Sequence, residues 1–177
     1  VPLVQRAPSA WRAGGLAWVF ATAWLAGTFW WLFVSMHTHG GLAAPLAVLA
    51  VLALAALLAL YTAFFLMLFR LLALYPYGLS AIILNSMLFA ACWLLAELAR
   101  GALFTGFPWG AVGYAHVDSL RWAAPWVGVQ GMGALAAGLS ALLAGAVTQV
   151  VGQRAAAQPV AVQRGVGQRR AAAALEV

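Results

Sequence analysis

The stretch LAAPLAVLAVLALAALLALYTAFFLMLF, from Leu42 to Phe69, decides the fold class: its 28 residues carry no charged side chain, and it stops at Arg70. A helix crosses the hydrocarbon core of a bilayer with about 20 apolar residues, so this run spans with tilt or extends past the interface. Within lipid the backbone groups of a segment must be paired internally. A run of this length is therefore a helix and not an open strand.

Three more apolar segments flank it. The first runs roughly from Ala13 to Met36 and ends in the polar turn His37-Thr38-His39-Gly40-Gly41. The turn Tyr75-Pro76-Tyr77-Gly78 leads into the third, roughly Leu79 to Ala99. The fourth runs from about Pro125 to Val151, with Pro125 suited to a first helical turn. The expected fold is an all-α polytopic membrane protein with about four transmembrane helices, at 13–36, 42–69, 79–99 and 125–151, forming part of a larger helical bundle.

Composition agrees. Of 177 residues, 66% are hydrophobic and 7% charged, and mean hydropathy is +0.98. A soluble domain carries about a quarter charged residues. There is no lysine, all nine basic residues are arginine, and only Glu97, Asp118 and Glu176 are acidic. The net charge of +6 does not point to nucleic acid, because the arginines sit singly between apolar runs or in the tail and form no basic face. The single Cys92 excludes a disulfide framework. The first apolar stretch is too long and too rich in tryptophan for the core of a signal peptide.

Arginine placement orients the segments. Alternating sides groups Arg6, Arg12, Arg70, Arg154, Arg164, Arg169 and Arg170 against Arg100 and Arg121. The positive-inside rule then expects the N-terminus, the Arg70 turn and the tail in the cytoplasm, with loops 37–41 and 100–121 facing outward. The tail, 152–177, is rich in Gln, Arg, Ala and Gly without an apolar period. It reads as a polar cytoplasmic connection whose last residues, from Arg169, open a truncated further helix.

Polar and conformational information concentrates at Glu97-Leu-Ala-Arg-Gly-Ala-Leu-Phe-Thr-Gly-Phe-Pro-Trp109. Glu97 and Arg100 stand three apart on a helix and share a face, so they can pair. The Glu needs either the Arg or a polar cavity, since an unpaired carboxylate at the membrane edge is costly. Phe104, Phe107, Trp109, Tyr114 and Trp122 crowd an outward loop whose turn is set by Gly106 and Pro108. So apolar a loop belongs on the bilayer surface, beneath a second domain, or along a lipid-accessible groove.

Other candidates have plainer readings. Asn85 and Ser86 suit interhelical hydrogen bonds. Cys92, in hydrocarbon, is a small core residue and a poor nucleophile. His37 and His39 lack a nearby carboxylate or thiolate and read as interfacial caps, so no metal site is expected. His116 and Asp118 have no evident nucleophile to activate. No cofactor is implied.

The run Glu97 to Trp109, followed by Gly113-Tyr114, resembles the signature of bacterial apolipoprotein N-acyltransferases. Gly27-Thr-Phe-Trp-Trp31, Val34-Ser35, Gly40-Gly41 and Ala59-Leu60-Tyr61-Thr62 resemble the corresponding parts of that family. The likeness runs from about Trp18 to Val151. It implies transfer of an acyl chain from a phospholipid donor to the N-terminal diacylglyceryl-cysteine of a lipoprotein acceptor. The reaction is placed at the outer face of the bacterial inner membrane and passes through a cysteine thioester. It further implies a bundle of eight helices carrying a nitrilase-like domain with a Glu–Lys–Cys triad.

This chain departs from that pattern by lacking lysine and by placing its one cysteine mid-segment. It is expected to correspond to helices three to six, without the nitrilase-like catalytic domain, and to be inert alone. Carried over, Gly106, Phe107, Pro108 and Trp109 would border the lipid entrance, Tyr114 would support that loop, and Glu97 with Arg100 would fix its helix. The competing reading is a small four-helix scaffold or transporter component. Gly128, Gly131, Gly133, Gly138 and Gly145 would supply its packing face.

Overall fold

The computed structural model describes residues 2–74, 78–103 and 106–174, with side chains through 155. Among these residues the regular structure is entirely helical. A short α1 (Pro2–Arg6) precedes α2 (Ala10–Thr28), which Ser9 caps by accepting the Arg12 N–H at 3.3 Å. Then come α3 (Trp30–Val34), a π-helical turn (Ser35–His39), α4 (Ala44–Leu72) and α5 (Leu79–Ala102). A 3₁₀ turn (Val112–His116), α6 (Val117–Leu120) and a second 3₁₀ turn (Arg121–Ala123) lead to α7 (Ala124–Ala174). The turn residues 75–77, and Phe104 and Thr105 of the aromatic loop, lie outside the described residues.

Helices α4 and α5 are long and apolar enough to cross a membrane, as is the segment ending in α7. The pair α2 and α3 makes a fourth span if counted as one. The chain is an all-α polytopic membrane domain. Its first apolar segment is not the single straight helix that 13–36 suggests, because it bends by 52° at Phe29 and continues helically to His39. The cause is local. Phe29 leaves helical geometry (φ −91, ψ 16), and the Thr28 hydroxyl donates to the Trp24 carbonyl at 2.9 Å, a back-bond that bends helices. Likewise α7 is broken at Gly128 (φ 66, ψ −175). Beyond 151, where the sequence reads as a connection, the backbone stays helical to Ala174.

Packing follows chain order: α2 lies along α4, α4 along α5, and α5 along α7, while α2 and α7 barely meet. The segments form a row and not a closed four-helix bundle. Small residues at every fourth position allow the first contact to be close. Ala13, Ala17 and Ala21 of α2 are buried, as are Ala47, Val51, Ala55 and Ala59 of α4. Without a hydrophobic drive in lipid, such stripes hold helices together by van der Waals contact. Helix α5 buries a polar face: Asn85, Ser86, Cys92, Glu97 and Arg100 are all inside. At the end of the row nearest Arg70 the core gathers Phe69, Phe89, Cys92 and Ala141. At the other end it gathers Leu25, Phe29 and Ala55, with Phe107 packed on it.

Candidate functional site: the loop after the fifth helix

The loop is built on the last two turns of α5. Leu103 N–H closes onto the Ala99 carbonyl and Gly106 N–H onto the Leu103 carbonyl, after which the Phe107 N–H returns to the Arg100 carbonyl at 2.8 Å. The return requires Gly106. Its φ of +70 disfavours side chains, and a Cβ there would fall on the Gly101 carbonyl oxygen.

Arg100 and Glu97 are 5% and 6% exposed, and they do not touch each other within ion-pair distance. The direct pair allowed by their spacing is replaced by two separate grips on the loop backbone. The Arg100 guanidinium donates to the Phe107 carbonyl at 3.1 Å and also to the Trp109 carbonyl. Glu97 Oε1 accepts the Val112 N–H at 2.8 Å. Two buried charges thus find backbone dipoles at consecutive turns, while their opposite signs offset one another across a low-dielectric interior.

The second Glu97 oxygen and the Trp93 indole nitrogen one turn earlier are both buried and stand near each other, without the close geometry of a full hydrogen bond. Both residues line a cavity of about 20 Å³ together with Trp24, Thr62 and Gly110. Glu97 lies against Gly133 of α7, where a Cβ would come 3.0 Å from Oε2 and 3.2 Å from the Gly113 nitrogen. A Cβ on Gly113 would in turn strike the carbonyl oxygen of Val129, just past the break at Gly128. The break and the 3₁₀ turn therefore interlock.

The far side of the loop rests on the bend in the first segment. Phe107 meets the fully buried Phe29 edge-on (ring centroids 5.3 Å), and Trp109 lies 5.7 Å from Trp31. Pro108 and Trp109 are exposed, the latter at 59%. Tyr114 stands on the 3₁₀ turn with its ring outward at 61% exposure, and no ring contact joins it to Phe107 or Trp109 among the described residues. Trp122 and Trp126 continue the exposed aromatic surface.

The structure thus joins Glu97, Arg100, Gly106, Phe107 and Trp109 in one unit and leaves Tyr114 on its flank. Sequence reasoning missed Phe29 as the seat, Val112 as the Glu97 donor, and Gly133 as the close approach. The Gly27 to Trp31 match held the signal for Phe29. Gly133 stood among the glycines of the expected packing face without its partner being evident, and nothing marked Val112, because it acts through its backbone N–H. Elsewhere, Asn85 holds Leu74 by accepting its N–H and donating to its carbonyl, each at 2.8 Å. The Ser86 hydroxyl donates to the Ile82 carbonyl. His37 Nδ1 lies 2.7 Å from the Leu42 carbonyl oxygen and tethers the π-helical turn. These are structural uses. Chemically, the loop site can fix an aromatic surface, and among its described residues no nucleophile stands beside a base.

Comparison with known proteins places this geometry. The family model described as the apolipoprotein N-acyltransferase N-terminal domain matches residues 1–142. A protein of Verminephrobacter eiseniae named apolipoprotein N-acyltransferase is 58% identical over 143 residues, covering 80% of this chain and 26% of its own length. Its namesake from Bordetella bronchiseptica is 43% identical over 147 residues, covering 79% and 27%. That of Ralstonia nicotianae is 38% identical over 148 residues, covering 81% and 27%. The chain spans about a quarter of the length of the curated relatives it matches. With more than half of its residues matched by the family model, the chain belongs to the apolipoprotein N-acyltransferase family, in the part described as its N-terminal domain.

Proposed function

We propose that this chain is the membrane part of an enzyme that moves an acyl chain from a phospholipid to the N-terminal diacylglyceryl-cysteine of lipoproteins in the bacterial inner membrane. Gly106, Phe107, Pro108 and Trp109 form the rim over which lipid approaches, and Tyr114 extends the same aromatic surface. Glu97 and Arg100 are positioning residues that fix this rim and take no part in the chemistry. The Glu–Lys–Cys groups belong to a nitrilase-like domain outside these residues, so the chain alone is inactive; it has no lysine, and its one cysteine is buried in the core. Loops 37–41 and 100–121 face the periplasm, and the N-terminus and tail face the cytoplasm.

The observation that carries the reading is the double grip of Arg100 and Glu97 on a loop that leaves Trp109 exposed in a membrane domain of this family. A buried charge pair devoted to one loop's backbone is a large commitment for a mere connection.

The test is a chimera. Residues 1–142 replace the matching segment of the Verminephrobacter eiseniae relative, in a bacterium depleted of its own acyltransferase. The chimera restores growth and lipoprotein N-acylation, Trp109→Ala in it lowers acylation at least tenfold with normal membrane levels, and the 177-residue chain alone restores nothing. Full acylation by the Trp109→Ala chimera removes the rim role, and rescue by the chain alone removes the claim of inactivity.

A further inference from the structure

At the end of the row opposite the loop lies a cavity of about 570 Å³ between α1, the start of α5 and the C-terminal half of α7. The volume falls within the range of about 300–1,000 Å³ usual for ligand sites. Its deep wall is small and apolar, with Ala81, Ala141 and Gly145. The polar groups there are already used: Asn85 on Leu74, Ser86 on the Ile82 carbonyl, and Thr148 on the Ala144 carbonyl at 2.7 Å. The mouth is different. It carries Arg6, Gln149 and Gln153, whose side chains make no hydrogen bond or ion pair with any described residue.

Charge points the same way. Arg12, Arg70 and Arg154 share this end with Arg6, and Arg70 donates to the Ala7 carbonyl at 3.0 Å, which fastens α1 beside the cavity. The described acidic residues, Glu97 and Asp118, lie at the other end of the row. The mouth is therefore cationic through Arg6 and, among the described residues, faces no carboxylate, over a wall suited to methylene groups.

We propose that this cavity binds the headgroup of an anionic phospholipid, with Arg6 holding the phosphodiester, Gln149 and Gln153 donating to its oxygens, and the glyceryl end lying against Ala141 and Gly145. A guanidinium suits a phosphate by charge and by its paired donors, and basic pockets between membrane helices take anionic headgroups. This site is separate from the Gly106–Trp109 rim and does not rest on the acyl-transfer reading.

The test is native mass spectrometry of the 177-residue chain released from micelles containing phosphatidylglycerol, phosphatidylcholine, or inorganic phosphate without lipid. Phosphatidylglycerol is retained in preference to phosphatidylcholine, and inorganic phosphate neither binds nor displaces it. Arg6→Gln lowers retention about fivefold, the effect of one arginine near a membrane surface. Gly152→Phe fills the mouth while keeping every charge, since nothing lies within 4 Å of a Cβ there, and it lowers retention at least as much. Arg121→Gln, at the other end, leaves retention unchanged. Equal retention of the two lipids, displacement by inorganic phosphate, or full retention by both Arg6→Gln and Gly152→Phe overturns the proposal.

Discussion

Arg100 and Glu97 show how a membrane protein can bury two charges without joining them. Each is spent on the backbone of the loop, so the loop's own polar groups are satisfied in the same act. The consequence is specific to the atoms used. Glu97→Gln keeps a carbonyl oxygen for the Val112 N–H, whereas Glu97→Leu leaves that donor orphaned at a cost of about 1–3 kcal/mol. Thermal unfolding in detergent should therefore rank the native chain above Glu97→Gln and Glu97→Gln well above Glu97→Leu. Arg100→Lys should fall below the native chain although the charge is kept. Both bonds leave one terminal nitrogen, Nη1, and the lysine stem is one atom shorter, while its more strongly hydrated ammonium costs more to desolvate between the Phe107 and Trp109 carbonyls. Equal losses in Glu97→Gln and Glu97→Leu would mean that the carboxylate charge, and not its acceptor oxygen, holds the 3₁₀ turn.

Among the elements, the bent pair of α2 and α3 is the seat on which the loop rests, and Phe29 is its centre. It is fully buried, packs with Leu25, Val51 and Ala55, and meets Phe107 edge-on. Truncation to Ala costs about 3–5 kcal/mol for a buried aromatic. The effect should be directional, with amide exchange at 106–110 accelerating more than exchange within α5 near Asn85. Uniform acceleration along the chain would show that Phe29 stabilises the row and not the loop. These elements were unequally legible in the sequence. Helix α4 was plain because 28 uncharged residues in lipid leave no alternative to a helix. The bend at Phe29 was hidden, since it arises from one residue's dihedrals and a hydroxyl back-bond inside an apolar run. The break at Gly128 was hidden for a similar reason, because Gly128 is one of several glycines in that segment and only contact with Gly113 singles out its neighbourhood. Past 151 the sequence loses its apolar period, but Ala, Gln and Arg are good helix formers, so the backbone goes on as helix. Of the loop, the residue types were readable, while the assignment of Glu97 to Val112 was not, because a backbone N–H leaves no mark in a sequence.

For the whole molecule, the row arrangement puts both ends of every long helix at one of two surfaces, and the charges divide between them. Arg6, Arg12, Arg70 and Arg154 gather at one surface; Arg100, Asp118 and Arg121 lie at or near the other. If the positive-inside rule governs this chain, the two surfaces have a fixed orientation in the cell. Cys92 makes this measurable, because it is 3% exposed in the core and should stay silent to a membrane-impermeant maleimide. Ser119→Cys and Gln153→Cys then place one exposed thiol at each surface. In cells with a permeabilised outer membrane, Ser119→Cys should label at once, and Gln153→Cys only after lysis. The reverse pattern would put the Gly106–Trp109 rim in the cytoplasm, away from the side on which the proposed acyl transfer takes place. Labelling of both thiols before lysis would mean that the row inserts in two orientations, so that its arginine bias is too weak to set topology in these residues alone.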